Sequence, residues 1–293
     1  MKRTVFRNRW LPYALVAPQV TITLVFFFWP AFDSLRLSLY RASPFGDRLI
    51  FVGLGNFERL VTDEGYRRSV VTSFVFSFFV TVIGLALALL LASLANARIR
   101  GLPVYRSLLL WPYGIAPAVA GIIWLFIFHP SYGILTYLLS LVTSYQFNWF
   151  LKGWVAMTLI IVAAIWKQFG YNLAFYLAGL QGIPGSVLEA ASVDGAGPIR
   201  RFFAITFPLL SPVTFFLFTL NMTFSFFDTF GLVHSVTQGG PGDATSLLVY
   251  RAWKDGFVGL QLGFSAAQSV ILMAVVILLT AFQFRYAEKR VTY

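Results

Sequence analysis

The chain has 293 residues, of which 58% are hydrophobic and only 11% charged, where soluble domains carry roughly a quarter. Its net charge of +11 is scattered over connecting segments rather than gathered in one patch, which argues against a nucleic-acid interface. Cysteine is absent, which excludes disulfides, thiolate metal sites and a cysteine nucleophile. Six apolar runs are long enough to cross roughly 30 Å of hydrocarbon as helices. They are Leu11–Trp29, Val70–Leu94, Ser107–Phe128, Trp154–Leu180, Pro208–Phe227 and Leu262–Phe284. None has the short, alternating pattern of a barrel strand.

The first run follows a basic stretch, Met1–Trp10, as a signal peptide would. It is longer than a typical signal core and no A-x-A site follows, so a retained span is expected. In the second run Gly84, Ala88 and Ala92 recur every four residues, a stripe suited to close packing within the chain. The third contains Pro112, Gly114 and Pro117, which predict a broken helix. Such breaks line translocation pathways or merely kink a span. Tyr132–Val142 is too short to cross and is expected to be an interfacial or loop helix. Thr229–Tyr250, interrupted by Gly239, Gly240, Pro241 and Gly242, is expected to be a structured loop.

The fourth run carries Lys167, an ionisable group in mid-span that calls for a partner or a cavity. Trp166, Gln168, Tyr171 and Asn172 flank it. With Asn221 and Asp228 from the fifth run and its end, Lys167, Gln168, Tyr171 and Asn172 form the candidate substrate pathway. An anionic phosphate would give the ammonium a counter-ion. The alternative is a structural lysine bonded to carbonyls of a broken helix such as the third span.

With the N-terminus inside, twelve Lys and Arg fall on inner segments and nine on longer outer ones. That density predicts both termini in the cytoplasm. No phosphate loop G-x-x-x-x-G-K-[ST] and no H-E-x-x-H occurs. His129 and His234 stand far apart and are expected to be ordinary loop or interface residues. No catalytic residue, metal site or bound cofactor is therefore expected. No carboxylate sits in mid-span, which weighs against a proton- or sodium-driven carrier.

Between the fourth and fifth runs lies Ile183-Pro184-Gly185-Ser186-Val187-Leu188-Glu189-Ala190-Ala191-Ser192-Val193-Asp194-Gly195-Ala196-Gly197. Pro184 suits a first helical turn, the centre favours helix, and Gly195 suits its stop. From Pro198 a second, basic amphipathic helix is expected to lead into Pro208. By physics alone this could equally be a solvated linker with a helical turn. Its spacing is similar to the EAA loop of ABC importer permeases, E-A-A-x3-G-x9-I-x-L-P. Glu189-Ala190-Ala191, Gly195, Ile205 and Pro208 fit, and Phe207 departs where Leu is usual.

That resemblance implies an all-α polytopic membrane protein of six transmembrane helices with the type I ABC importer permease fold. It implies one permease domain over 1–293, with residues 181–207 as the loop that couples to a partner ATPase. Glu189, Ala190, Ala191, Asp194 and Gly195 are the implied coupling residues. Pro12-Tyr13, Ala17-Pro18, Val52–Phe57 and Thr237–Pro241 resemble the carbohydrate-type branch. Arg9–Tyr13, Leu110–Ala120, Trp166–Gln168, Asp194–Phe203 and Ser265–Val270 resemble its glycerol-3-phosphate permeases. The implied cargo is sn-glycerol 3-phosphate or its diesters, with a sugar or oligosaccharide as the rival. The implied partners are a second homologous permease subunit, two ATPase subunits holding ATP and Mg, a periplasmic solute-binding protein and the lipid bilayer of a bacterial inner membrane. A secondary carrier or channel, and a lipid-handling or structural subunit, stay open as other classes.

Overall fold

The computed structural model describes residues 10–43, 48–96, 107–143 and 148–287. They divide into two compact units, one of residues up to 62 with 252–271, the other of 63–251 with those beyond 271. Among the described residues four helices are long and apolar enough to span, and two bent pairs raise the number to six.

The first unit opens with α1, Leu11–Leu37, whose side chains are nowhere buried, as a lipid-facing helix requires. It runs eight residues past the expected end at Trp29. Pro30 would ordinarily stop it, because a proline ring crowds the carbonyl four residues back. A wider π turn over Leu24–Phe28 lies just ahead of Pro30 and lets the helix continue. A two-stranded antiparallel ribbon follows, Tyr40–Ala42 (β1) with Leu49–Phe51 (β2), which the sequence had not signalled. Helix α2, Gly55–Thr62, is tied to it by the buried Asn56, whose Nδ2 donates to the carbonyls of Ser38 and Tyr40 at 2.8 and 2.9 Å.

The second unit contains the core. Helix α3, Glu64–Ala95, is capped by Asp63, whose Oδ1 accepts from the N–H of Tyr66 at 2.6 Å. The third apolar run is broken as expected. Ser107–Gly114 (α4) and Pro117–Ile127 (α5) meet at 106°. Ile134–Val142 (α6) is short and has no buried residue. Helix α7, Gly153–Gln181, is the most enclosed of the spans. It packs along α3, where Gly84, Ala88 and Ala92 are all buried, so the small-residue stripe serves packing inside the chain.

Beyond α7 come Gly185–Val193 (α8), Pro198–Leu209 (α9) and Ser211–Phe227 (α10), the last two bent by 66°. The fifth span thus begins at Ser211 rather than Pro208. Thr229–Tyr250 is more than a loop, because Phe230–Val236 (α11) is helical and buries Leu232 and Val233 completely. It crosses α5 closely through two glycines. A Cβ on Gly121 would lie 2.8 Å from that of Ser235, and one on Gly231 would lie 2.8 Å from the Ala118 nitrogen. Leu248–Trp253 (α12) ends in residues of the first unit, as Leu262–Phe282 (α13) begins in them, its residues from Leu272 on belonging to the second.

Candidate transport pathway and coupling loop

The local sequence of α7 places polar groups on a helix that is apolar elsewhere. Lys167, Gln168 and Asn172 are all buried, at 4%, 7% and 0% exposure. An unpartnered lysine at the centre of a span costs roughly 2.5–3.5 kcal/mol on insertion scales, so its environment matters. Its Nζ donates to the carbonyl oxygen of Tyr113 at 3.4 Å, in the turn that ends α4. It also lies 5.5 Å from the ring centre of Tyr113 and 5.9 Å from that of Phe224. Among the described residues no carboxylate comes within ion-pair distance of Lys167. Asp228 is the acid whose field reaches it, from an exposed position just past α10.

Tyr171, one turn beyond Lys167, stacks on Tyr113 with ring centres 4.8 Å apart. Between them Gly170 allows the broken span to press against α7, since a Cβ there would collide with the carbonyl of Leu109. Asn172 and Asn221 form a reciprocal amide pair, at 3.1 and 2.8 Å, that bridges α7 and α10 in the buried interior. Asn221 also donates to the carbonyl of Leu217. The Oε1 of Gln168 is buried with no hydrogen-bond partner among the described residues. Five of the six expected pathway residues therefore cluster along α7 and its contacts, while Asp228 stands at the margin. Sequence inspection named neither Tyr113 nor Phe224, although the bond from Lys167 to a carbonyl of the broken third span is the alternative it offered. The visible clue was Pro117, which removes the N–H that would have satisfied the Tyr113 carbonyl in an unbroken helix.

The loop after α7 folds into a capped helix. Pro184 sits just outside it, at φ −60° and ψ 129°, so the helix starts at Gly185 rather than with the proline in its first turn. At the other end Gly195 has φ +78°, a conformation that side chains resist. The N–H of Ala196 donates to the Ala191 carbonyl at 2.9 Å and that of Gly195 to Ser192 at 3.2 Å, the paired bonds of a Schellman stop. Arg201 of α9 donates to the Ser192 hydroxyl at 2.6 Å, fixing α9 against α8. Ala191 is buried, whereas Glu189, Ala190, Asp194 and Gly195 are exposed. Glu189 has no hydrogen-bond or ionic partner among the described residues, and Val193 is 87% exposed. The helix thus presents a charge and an apolar edge outward on a rigid base.

Residues 50–293 match the family model of the binding-protein-dependent transport system inner membrane component. The chain belongs to this family. It is an inner-membrane transport component and not an enzyme. Over its full length it is 54% identical to the sn-glycerol-3-phosphate transport system permease protein UgpA of Rhizobium meliloti (strain 1021), covering all of both chains. It is 52% identical to UgpA of Agrobacterium fabrum (strain C58 / ATCC 33970), again over all of both. It is 50% identical to UgpA of Escherichia coli O157:H7, over 99% of this chain and 98% of that one. Its fold is that of a chain in the crystal structure of a bacterial ABC transporter involved in import of the acidic polysaccharide alginate. The TM-score there is 0.81 at 20% identity, over 97% of this chain and 96% of the other. A second such structure, in complex with an alginate pentasaccharide-bound periplasmic protein, gives 0.79 over 94% and 92%. The fold is therefore that of an ABC importer permease, as the loop motif implied.

Proposed function

We propose that this chain is one permease subunit of an ATP-driven importer of sn-glycerol 3-phosphate or its diesters. One observation carries the cargo: identity of 50–54% over essentially the full length to relatives named as sn-glycerol-3-phosphate permeases. The loop of residues 181–207 faces the cytoplasm, as do both termini. A second homologous permease subunit completes the pathway, two ATPase subunits bind ATP and Mg, and a periplasmic solute-binding protein delivers the cargo. Helix α8 docks on an ATPase through Glu189, Ala190, Ala191, Asp194 and Gly195 and moves with it. The spans then alternate between outward and inward access. Lys167, with Gln168, Tyr171, Asn172, Asn221 and Asp228, lines the route, and the Lys167 ammonium meets the cargo phosphate.

A buried ammonium whose hydrogen bond among the described residues goes to a neutral carbonyl supports that last role. A phosphate oxygen would form a charge-assisted bond, roughly twice as strong as a neutral one. Lys167→Gln should therefore lower glycerol 3-phosphate uptake about tenfold or more, the equivalent of one such bond. Assembly and basal ATPase should persist, and Lys167→Arg should keep part of the uptake. Normal uptake by Lys167→Gln would refute the phosphate role.

The topology has its own test. Because the chain lacks cysteine, Ser43→Cys and Ser192→Cys are clean reporters. Ser43 should react with an impermeant thiol reagent from outside intact cells, and Ser192 only after the membrane is opened. Ser144, the other natural outer reporter, lies outside the described residues. Reaction of Ser192→Cys from outside would reverse the orientation and remove the coupling role.

A further inference from the structure

The carbonyl of Tyr113 is orphaned by the sequence itself. In an unbroken helix its acceptor would be filled from position 117, and position 117 is proline. Its partner is Lys167, through a long bond of 3.4 Å that uses one of three ammonium protons. The bond closes the 106° break onto α7, with the Tyr113 ring stacked on Tyr171. Lys167 is only 4% exposed in this arrangement, with the Tyr113 and Phe224 rings near its ammonium.

We infer that the Tyr113 carbonyl is a stand-in for the cargo phosphate, and that cargo releases the broken span by taking Lys167 from it. The inference rests on the proposal that Lys167 meets the phosphate. An anionic oxygen outcompetes a neutral carbonyl for an ammonium in a low-dielectric site. Once Lys167 turns to the phosphate, the Trp111–Gly114 turn loses its bond to the ammonium, while the Tyr113–Tyr171 stacking remains. A neutral sugar has no group that takes the ammonium with comparable strength. The same exchange therefore selects for an anion and converts its arrival into movement of a helix break. Tyr113 acts in this as a positioning residue through its backbone.

The movement can be read at Gly114, where a Cβ would meet no atom within 4 Å, so Gly114→Cys fits the existing space. The complete complex carrying Gly114→Cys is placed in vesicles, and the rate of its reaction with an impermeant methanethiosulfonate is followed on this chain. Binding protein loaded with sn-glycerol 3-phosphate should change the rate about fivefold or more, as a population shift toward the released state demands. In Gly114→Cys with Lys167→Gln the rate should already match the cargo-bound value without cargo and be unresponsive to it. Lys167→Arg should restore the response. Should Gly114→Cys fail to assemble, the exposed Ala116→Cys serves as the reporter on the same turn. An unchanged rate in vesicles that do import glycerol 3-phosphate overturns the clasp and leaves the cargo assignment standing. Vesicles that import no glycerol 3-phosphate overturn the cargo assignment, and the clasp with it.

Discussion

Exchanging Glu189 for Lys, or Gly195 for Val, should cut ATP-driven uptake at least about twentyfold, a loss near 1.8 kcal/mol of coupling, while the chain still inserts. The two changes act by different physics. Glu189 is exposed and has no partner among the described residues, so its reversal should fall mainly on whatever it docks against rather than on the fold. A carboxylate partnered across an interface and replaced by an ammonium meets repulsion where it had attraction. At Gly195 there is open space around the added Cβ, so no collision is involved. The cost is conformational, because φ +78° suits glycine and a β-branched residue there is strained by about 1–3 kcal/mol. Relief of that strain opens the Schellman stop and lets the end of α8 drift. Membrane levels of the chain should be near normal in both variants, and co-purification of the ATPase should fall. Uptake at the normal rate by both would remove α8 from the coupling route.

Gly170→Ala should be nearly as severe for a different reason. The new methyl group would point into the carbonyl of Leu109 and lie within 3 Å of the Leu110 Cα, and backbone cannot swing aside as a side chain can. Overpacking of this kind costs about 1–3 kcal/mol and forces α4 away from α7. Both the Tyr113–Tyr171 stack and the bond to Lys167 lie on that contact. The variant should unfold at lower temperature in detergent and lose most uptake. Gly114→Ala, four residues along from Leu110 and facing open space, is the matched control and should behave as the native chain. Equal thermal stability and uptake for Gly170→Ala and the native chain would show that the close approach is dispensable.

These two sites differ in how far they could be read from the amino-acid order. The coupling loop is local. Its helix former, its glycine stop and its spacing all fall within one stretch, so α8 and the left-handed Gly195 were legible. Only the exact role of Pro184 was misjudged, by one position. The break in the third span was likewise legible, because Pro112 and Pro117 act on their own helix. That a carbonyl of the break could hold Lys167 was legible too, as the alternative reading of that lysine, but which carbonyl does so was not. The partner of the Tyr113 carbonyl lies 54 residues away, and the Asn172–Asn221 pair spans 49. Both depend on tertiary packing that no periodicity records. Backbone acceptors also leave no mark in a residue list, so Tyr113 passed unnoticed while its neighbours were chosen for their side chains. Helix α11 hid for a related reason. Its seven residues are too few to announce a period, and the glycines that follow drew attention to a loop.

The central claim is that this chain passes glycerol phosphate inward under power supplied by its partners. The most direct measurement is uptake by the complete complex in vesicles, with binding protein outside and ATP within, across a panel of glycerol phosphates and neutral sugars. The account predicts uptake of sn-glycerol 3-phosphate or its diesters that requires both ATP and the binding protein, with neutral sugars excluded. Uptake of a sugar in preference to glycerol phosphate, or glycerol phosphate uptake that continues without ATP, would contradict it.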